Sequence, residues 1–176
     1  MRIRRAADAD RPAIARLHAQ SWRDTYRAML PDSLLDGTLD AIMAERWAGQ
    51  AIEAEDAVLV VEADGALLGF AATWQDEPPY IDNLHVAAGA RSRGIGRLLL
   101  AETARHFLAL GAKGALLHVV VGNDRARDLY LALGGSPAGI EEKDLYGTMV
   151  PNERIEWDDL HALLERASAR PGQESP

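Results

Sequence analysis

The chain has no cysteine among its 176 residues. That excludes a disulfide framework, a thiolate zinc site and a cysteine nucleophile. Long apolar runs are missing too: the longest, 115–121, is strand-sized, well short of the roughly 18 residues that span a bilayer. The basic start, Met-Arg-Ile-Arg-Arg, is followed by no apolar segment of signal-peptide type. Nor is there a basic excess. Nineteen Lys and Arg against 27 Asp and Glu give a net charge of −8, which argues against a general nucleic-acid binder. What remains is 48% hydrophobic and 26% charged, the balance of one folded domain. The expectation is a cytoplasmic monomer or homodimer with no nucleic-acid or membrane partner. A single domain over 1–169 should end in a frayed tail, 170–176.

The order of elements follows from periodicity and punctuation. A short strand over 2–5 precedes a helix, with Asp8 and Asp10 as cap candidates and Pro12 in its first turn. Pro31-Asp32 ends that segment, and a second helix is predicted over 39–51. Strands follow over 57–62 and 66–74, joined at Asp64-Gly65, and then over 80–86. A helix over 94–110 stops at Gly111 and leads to a buried strand over 114–121. Asn123 or Asp124 caps a helix that reaches Leu133. Strands over 138–142 and 149–157 come next, and Asp158 is placed to cap a last helix to Ala167. The order predicts a mixed sheet with an α/β unit at its centre.

The charge is uneven. Residues 87–113 carry a net +4 (Arg91, Arg93, Arg97, Arg105 and Lys113 against Glu102), leaving −12 elsewhere. The same region holds the most informative motif. A strand, Tyr80-Ile81-Asp82-Asn83-Leu84-His85-Val86, runs into Arg91-Ser92-Arg93-Gly94-Ile95-Gly96-Arg97 and then a helix. Glycines admit an anion close to the backbone, and first-turn amides of a helix point at it without internal partners. The physical reading is a phosphate or pyrophosphate cradle. It is not a P-loop, because G-x-x-x-x-G-K-[ST] is absent. It is not a dinucleotide fingerprint either, since Leu99 stands where the third glycine belongs.

Three runs in order, Leu84-His85-Val86, Arg91 to Leu99, and Asn123-Asp124-Arg125-Ala126-Arg127-Asp128-Leu129-Tyr130 to Gly134, closely resemble the GNAT superfamily of N-acetyltransferases. The resemblance spans about residues 1–157, including N-terminal helices like those of one bacterial branch. One departure is Gly135, where members usually carry phenylalanine. The resemblance implies an α/β (α+β) fold: a mixed, mostly antiparallel sheet of six to seven strands. A splayed parallel pair lies in its middle, with four to five helices around it. It implies acetyl-CoA as co-substrate and a small-molecule or peptide amine as acceptor; no metal is expected, because no pair among the five histidines has the spacing of a metal site. The amides of Arg91, Ser92, Arg93, Gly94, Ile95 and Gly96, with Arg97, would hold the pyrophosphate. The Leu84-His85-Val86 strand would pair its backbone with pantetheine. Asn123 would hydrogen-bond that arm, and Tyr130 would lie near the thioester sulfur. The basic island falls where the polyanion belongs.

Such a reaction needs a neutral amine, so an alkylammonium with a pKa of about 10.4 must first lose a proton. A backbone N–H on 84–86 is the expected oxyanion donor, and Tyr130 the acid for the leaving thiolate. The base is expected to be Asp82, with His85 and His118 as alternatives acting through water. Strand alternation places Tyr80, Asp82, Leu84 and Val86 on one face and Ile81, Asn83 and His85 on the other. Trp22, Tyr26, Trp74 and Tyr80 are candidates for the acceptor pocket, as is Trp47. The alternative reading is a CoA-binding regulatory module of the same fold without turnover.

Overall fold

In a computed structural model the structure describes residues 1–169; the expected tail, 170–176, lies outside the described residues. The elements are β1 (Arg2–Arg5), α1 (Arg11–Tyr26), α2 (Leu39–Gly49), β2 (Ala57–Ala63), β3 (Ala66–Trp74) and β4 (Tyr80–Val86). They continue with α3 (Ile95–Ala109), β5 (Ala115–Val120), α4 (Asp124–Ala132), β6 (Ser136–Asp144), β7 (Met149–Trp157) and α5 (Leu160–Ser168). The chain between α1 and α2 does not simply break at Pro31. It forms a π-helical segment, Ser33–Thr38, which buries Leu34 and Leu35. The cap of α5 is Asp159, one residue beyond the expected Asp158; its carboxylate accepts from the amides of His161 and Ala162. Asn123 precedes α4 but makes no side-chain cap bond.

The seven strands form one sheet in the order β1-β2-β3-β4-β5-β7-β6. Among the described residues only β4 and β5 run parallel, joined through α3. Their register is short: Tyr80 pairs with Leu116 and Ile81 with Leu117, and there the ladder ends. Beyond it β4 keeps pairing with β3 and β5 with β7, so the two strands part in the middle of the sheet.

Helices cover both faces. On one side α1 and α2 pack Ile14, Trp22, Met43 and Trp47 against Val60 and Phe70. In α1 the buried residues Ile14, His18, Trp22 and Tyr26 recur every fourth position, which sets one stripe against the sheet. On the other side α3 and α5 bring Leu100, Phe107 and Leu163 against Leu117 and Ile155. Phe107 is wholly buried, and truncation of such a ring to alanine costs about 3–5 kcal/mol.

A bulge in β4 corrects the expected alternation. Ala72 of β3 pairs with Asn83 and the next residue, Thr73, with Ile81, leaving Asp82 as an extra residue. Two residues of the bulged strand thus share one position of its neighbour, and every side chain on one side of the bulge changes face relative to simple alternation. Ile81, Leu84 and Val86 therefore all pack toward α3. Asp82 instead turns to α2, where it meets Arg46, and His85 turns to α1, where it meets Ser21.

Candidate active site

The parted strands open one wall of a cleft of about 670 Å³. Its far end is the loop before α3. Gly94 sits at φ +78°, a left-handed conformation that glycine adopts at little cost, and hands the chain directly into α3. No side chain caps that helix, so its first amides face the cleft without a side-chain partner. Gly96 stands where α3 approaches α4: a Cβ there would lie 3.0 Å from Cδ2 of Leu129. A compact, uncapped helix start of this kind suits an anion.

The cleft's lining includes Arg91, Ser92, Gly94, Ile95, Gly96 and Arg97; Arg93 is exposed and outside it. The arginines are arranged differently from the expectation. Arg91 crosses the cleft mouth, with Nε donating to the Val86 carbonyl at 3.3 Å and a terminal nitrogen to Asp24 at 3.3 Å. Arg97 donates to the Arg166 carbonyl near the end of α5, and its Nε is buried without a partner among the described residues. Arg125, not singled out in the sequence, takes a place beside the loop and bonds the Ser92 hydroxyl at 3.1 Å.

Along the parted strands, Leu84, His85 and Val86 of β4 face Leu117 and Val119 of β5 across the cleft. Asn123 and Tyr130 close its inner end, with Tyr26 of α1. The Tyr26 hydroxyl lies against the Asn123 side chain, and burial pushes its pKa up to about 12 despite that bond. Burial, reinforced by Tyr26, raises Tyr130 well above the ordinary phenol value. Tyr130 therefore keeps its proton at neutral pH and is available as a donor. Its ring stands edge-on to Trp157 at 6.0 Å. Gly135 explains why no phenylalanine is present there: a Cβ at 135 would lie 2.5 Å from Ile155 and 3.0 Å from the Trp157 ring. Trp157 fills the space, and its indole donates to the Leu133 carbonyl at 3.2 Å.

The three base candidates sit differently. Asp82 lines the cleft, and its Oδ2 accepts from Arg46 at 2.6 Å and from Asn83 at 2.7 Å. That ion pair and the amide occupy one carboxylate oxygen with charge-assisted hydrogen bonds. Oδ1 has no protein partner among the described residues. His85 bonds Ser21 through Nδ1 at 2.9 Å and packs on His18, with ring centres 4.5 Å apart. Burial, with Arg46 and Arg91 adding to it, pushes its pKa down to about 3. His118 of β5 lies against the Glu141 carboxylate of β6.

Of the acceptor-pocket aromatics, Tyr26 alone lines the cleft. Trp22 and Trp47 are core residues, because helical spacing on α1 and α2 turns them onto Phe70 and its neighbours. Trp74 borders a separate surface depression with Gln50 and Asp56. Tyr80 is half-buried with its ring 5.7 Å from that of His118, at the point where the strands part. Ser21, Asp24 and Thr25 of α1 also line the cleft and carried no signal in the sequence beyond their helical spacing. Among the described residues no group of three or more ligating side chains is placed to hold a metal ion.

Residues 19–134 match the sequence profile of the acetyltransferase (GNAT) family. The chain belongs to that family. It is 25% identical over 168 residues to an uncharacterized N-acetyltransferase, YuaI, of Bacillus subtilis (strain 168), an alignment covering 92% of this chain and 95% of the relative. Its fold matches a GCN5-related N-acetyltransferase from Rhodopseudomonas palustris with a TM-score of 0.72 at 17% identity, covering 89% and 94% of the two chains. It also matches PaiA N-acetyltransferase from Thermoplasma acidophilum, solved in complex with coenzyme A. There the TM-score is 0.67 at 18% identity, covering 86% and 96%. The mixed seven-stranded sheet with one parallel pair and five helices is thus the fold the motifs implied.

Proposed function

We propose that this protein transfers the acetyl group of acetyl-CoA to a primary amine by direct attack, with both substrates held in the cleft. The observation that carries the reading is the continuity of the cleft. The uncapped start of α3 leads without interruption to the unpaired edge of β4, and Tyr130 stands in the wall at its inner end. Gly94 leaves the backbone bare where a pyrophosphate would rest, Gly96 lets α3 close on Leu129 behind it, and Arg91 and Arg125 supply positive charge beside it. The cleft therefore fits the co-substrate that the fold family implies.

When bound, acetyl-CoA supplies an activated acyl carbon and a thiolate leaving group. This chain's residues do the rest. The Leu84–Val86 edge pairs with the pantetheine arm and offers a backbone N–H to the developing oxyanion. Asn123 bonds the arm where β5 ends. Tyr130, held protonated, donates to the departing sulfur. Asp82 is proposed here as the docking group for the acceptor's ammonium through Oδ1, instead of the expected base, because Arg46 and Asn83 already occupy Oδ2.

The test is a two-part assay on the purified chain. Acetyl-CoA should raise the Tm, and NAD and ATP should not. Thiol release should then be followed with kanamycin, spermidine, lysine and a free-amino-terminus peptide. Binding without release from any of them points to the regulatory module, and absence of binding removes the reading altogether.

A further inference from the structure

Asp82 and His118 are the first residues past the last paired rung of β4 and β5. Side chains on β5 alternate, and Leu117 and Val119 pack toward α3 and α5, so His118 points to the opposite face, toward Tyr80 and the edge strand β6. It lines the cleft at the apex of the parted strands. Its side chain is 10% exposed. Nε2 lies against Oε1 of Glu141, and a carboxylate there favours a proton on that nitrogen. Among the described residues neither ring nitrogen completes a hydrogen bond of good geometry, but Nε2 has the Glu141 carboxylate beside it, which leaves Nδ1 as the nitrogen with no polar neighbour. A buried polar atom left unpaired is costly, so its place in a cleft wall points to a ligand donor.

Resting on the acetyltransferase reading above, we propose that His118 is the residue that takes the proton from the acceptor amine, through Nδ1, and that Glu141 is its positioning residue. Nδ1 has no water-exposed surface, so the amine reaches it only as the side chains around the cleft apex shift on binding. The protons balance. The acceptor ammonium gives up two. One passes to solvent by way of His118 as the nitrogen lone pair is freed. The other leaves the nitrogen as the C–N bond forms and the C–S bond breaks, replacing the proton that Tyr130 gives to the sulfur.

The surroundings suit a neutral imidazole. Burial lowers the His118 pKa, Lys143 of β6 and Arg154 of β7 lower it further, and Glu141 opposes them. Tyr80 and Asp82 of β4, the latter paired with Arg46 of α2, complete the charged and titratable groups on that side.

The experiment uses the full chain, acetyl-CoA, and whichever amine of the four-compound panel gives the highest kcat/KM. H118Q should lower kcat by roughly 10²-fold with the acetyl-CoA Kd unchanged, the scale of a general base. Added imidazole should restore turnover to H118A, which a purely structural role would not allow. E141Q, on an exposed strand, should move the acid limb of the kcat/KM profile to lower pH, because it removes the charge that raises the His118 pKa. Wild-type kcat in H118Q, or no imidazole rescue, or an unmoved acid limb in E141Q, overturns the proposal. A loss in H118Q that appears entirely as weaker acetyl-CoA binding also overturns it. A wild-type chain that turns over no panel amine fails before any variant is made, and this proposal falls with the reading it rests on.

Discussion

Arg46 of α2 reaches across to the bulge in β4 and holds Oδ2 of Asp82 at 2.6 Å, while Oδ1 is left without a protein partner among the described residues. The bulge makes this contact possible. Without the extra residue Asp82 would have stayed on the α3 side with Leu84, away from α2. A carboxylate fixed through one oxygen and open at the other is placed to dock a cation, the role proposed for it above.

Asp82→Asn tests that assignment. The amide keeps the shape and still accepts from Asn83 or Arg46, but it loses the charge. A hydrogen bond to a charged group is worth about 1.5–3 kcal/mol, so the acceptor KM should rise roughly 10- to 100-fold. kcat should change little. Steady-state kinetics over a wide amine range checks it, and a fall in kcat at unchanged KM would return Asp82 to the role of base.

Gly96 tests the cradle. Gly96→Glu places a carboxylate at the uncapped start of α3, where an anion is expected. At about 100 times Kd, bound acetyl-CoA adds about 2.7 kcal/mol, which for a chain of this size raises Tm by roughly 5–10 °C. The variant should fold and show no such shift. Gly96→Ala should be milder, because the atom its Cβ meets is the flexible end of Leu129. A normal shift in a folded Gly96→Glu protein would move the pyrophosphate elsewhere.

Much of this site was legible in the residues. The Gly94–Gly96 start of α3, the Asn123-to-Tyr130 spacing and the parallel pair all follow from local patterns that the fold preserves. What was not legible depends on contacts distant in sequence. The bulge at Asp82 is set by pairing with β3, and period-two counting within one strand cannot show it. Arg97 reads as an anion ligand by position, yet α5 brings the Arg166 carbonyl within its reach. Gly135 reads as a packing defect until Trp157, two strands later, is seen to occupy the room. Trp22 and Trp74 lie away from the cleft lining for a similar reason. Aromatic spacing shows which helix or strand carries a ring, but not which side of it the cleft opens on.

Two buried histidines make stability pH-dependent. His18 is packed among Trp22, Trp47 and Phe70 and accepts from the Trp47 indole, and burial holds its pKa well below 6.5. His85 is pushed down to about 3. The unfolded chain takes up these protons below pH 6.5 and the folded chain does not, so stability falls as the pH drops through that window. Each such group contributes a slope of about 1.4 kcal/mol per pH unit. Urea midpoints between pH 7 and pH 5 should therefore decline, before the carboxylates paired with Arg4 begin to titrate. His85→Gln should remove a large part of that decline. A flat profile in the wild type would mean that these rings gain protons without unfolding.

Tyr130→Phe isolates the acid. The ring stays edge-on to Trp157, so packing survives, and only the hydroxyl at the inner end of the cleft is lost. The departing thiolate then leaves without its proton donor. General acid catalysis contributes about 10²–10⁴-fold, and water reaching an open cleft replaces part of it, so the loss in kcat should lie near the lower end of that range. The acetyl-CoA Kd should hold. The loss should also shrink with an acyl donor whose leaving thiol is more acidic, because that sulfur needs the proton less. Measuring kcat with two such donors separates the possibilities. An equal loss with both donors assigns Tyr130 to placing the thioester. Unchanged kcat, with the chemical step shown to limit turnover, removes it from the reaction. Weaker acetyl-CoA binding alone makes it a wall of the cleft.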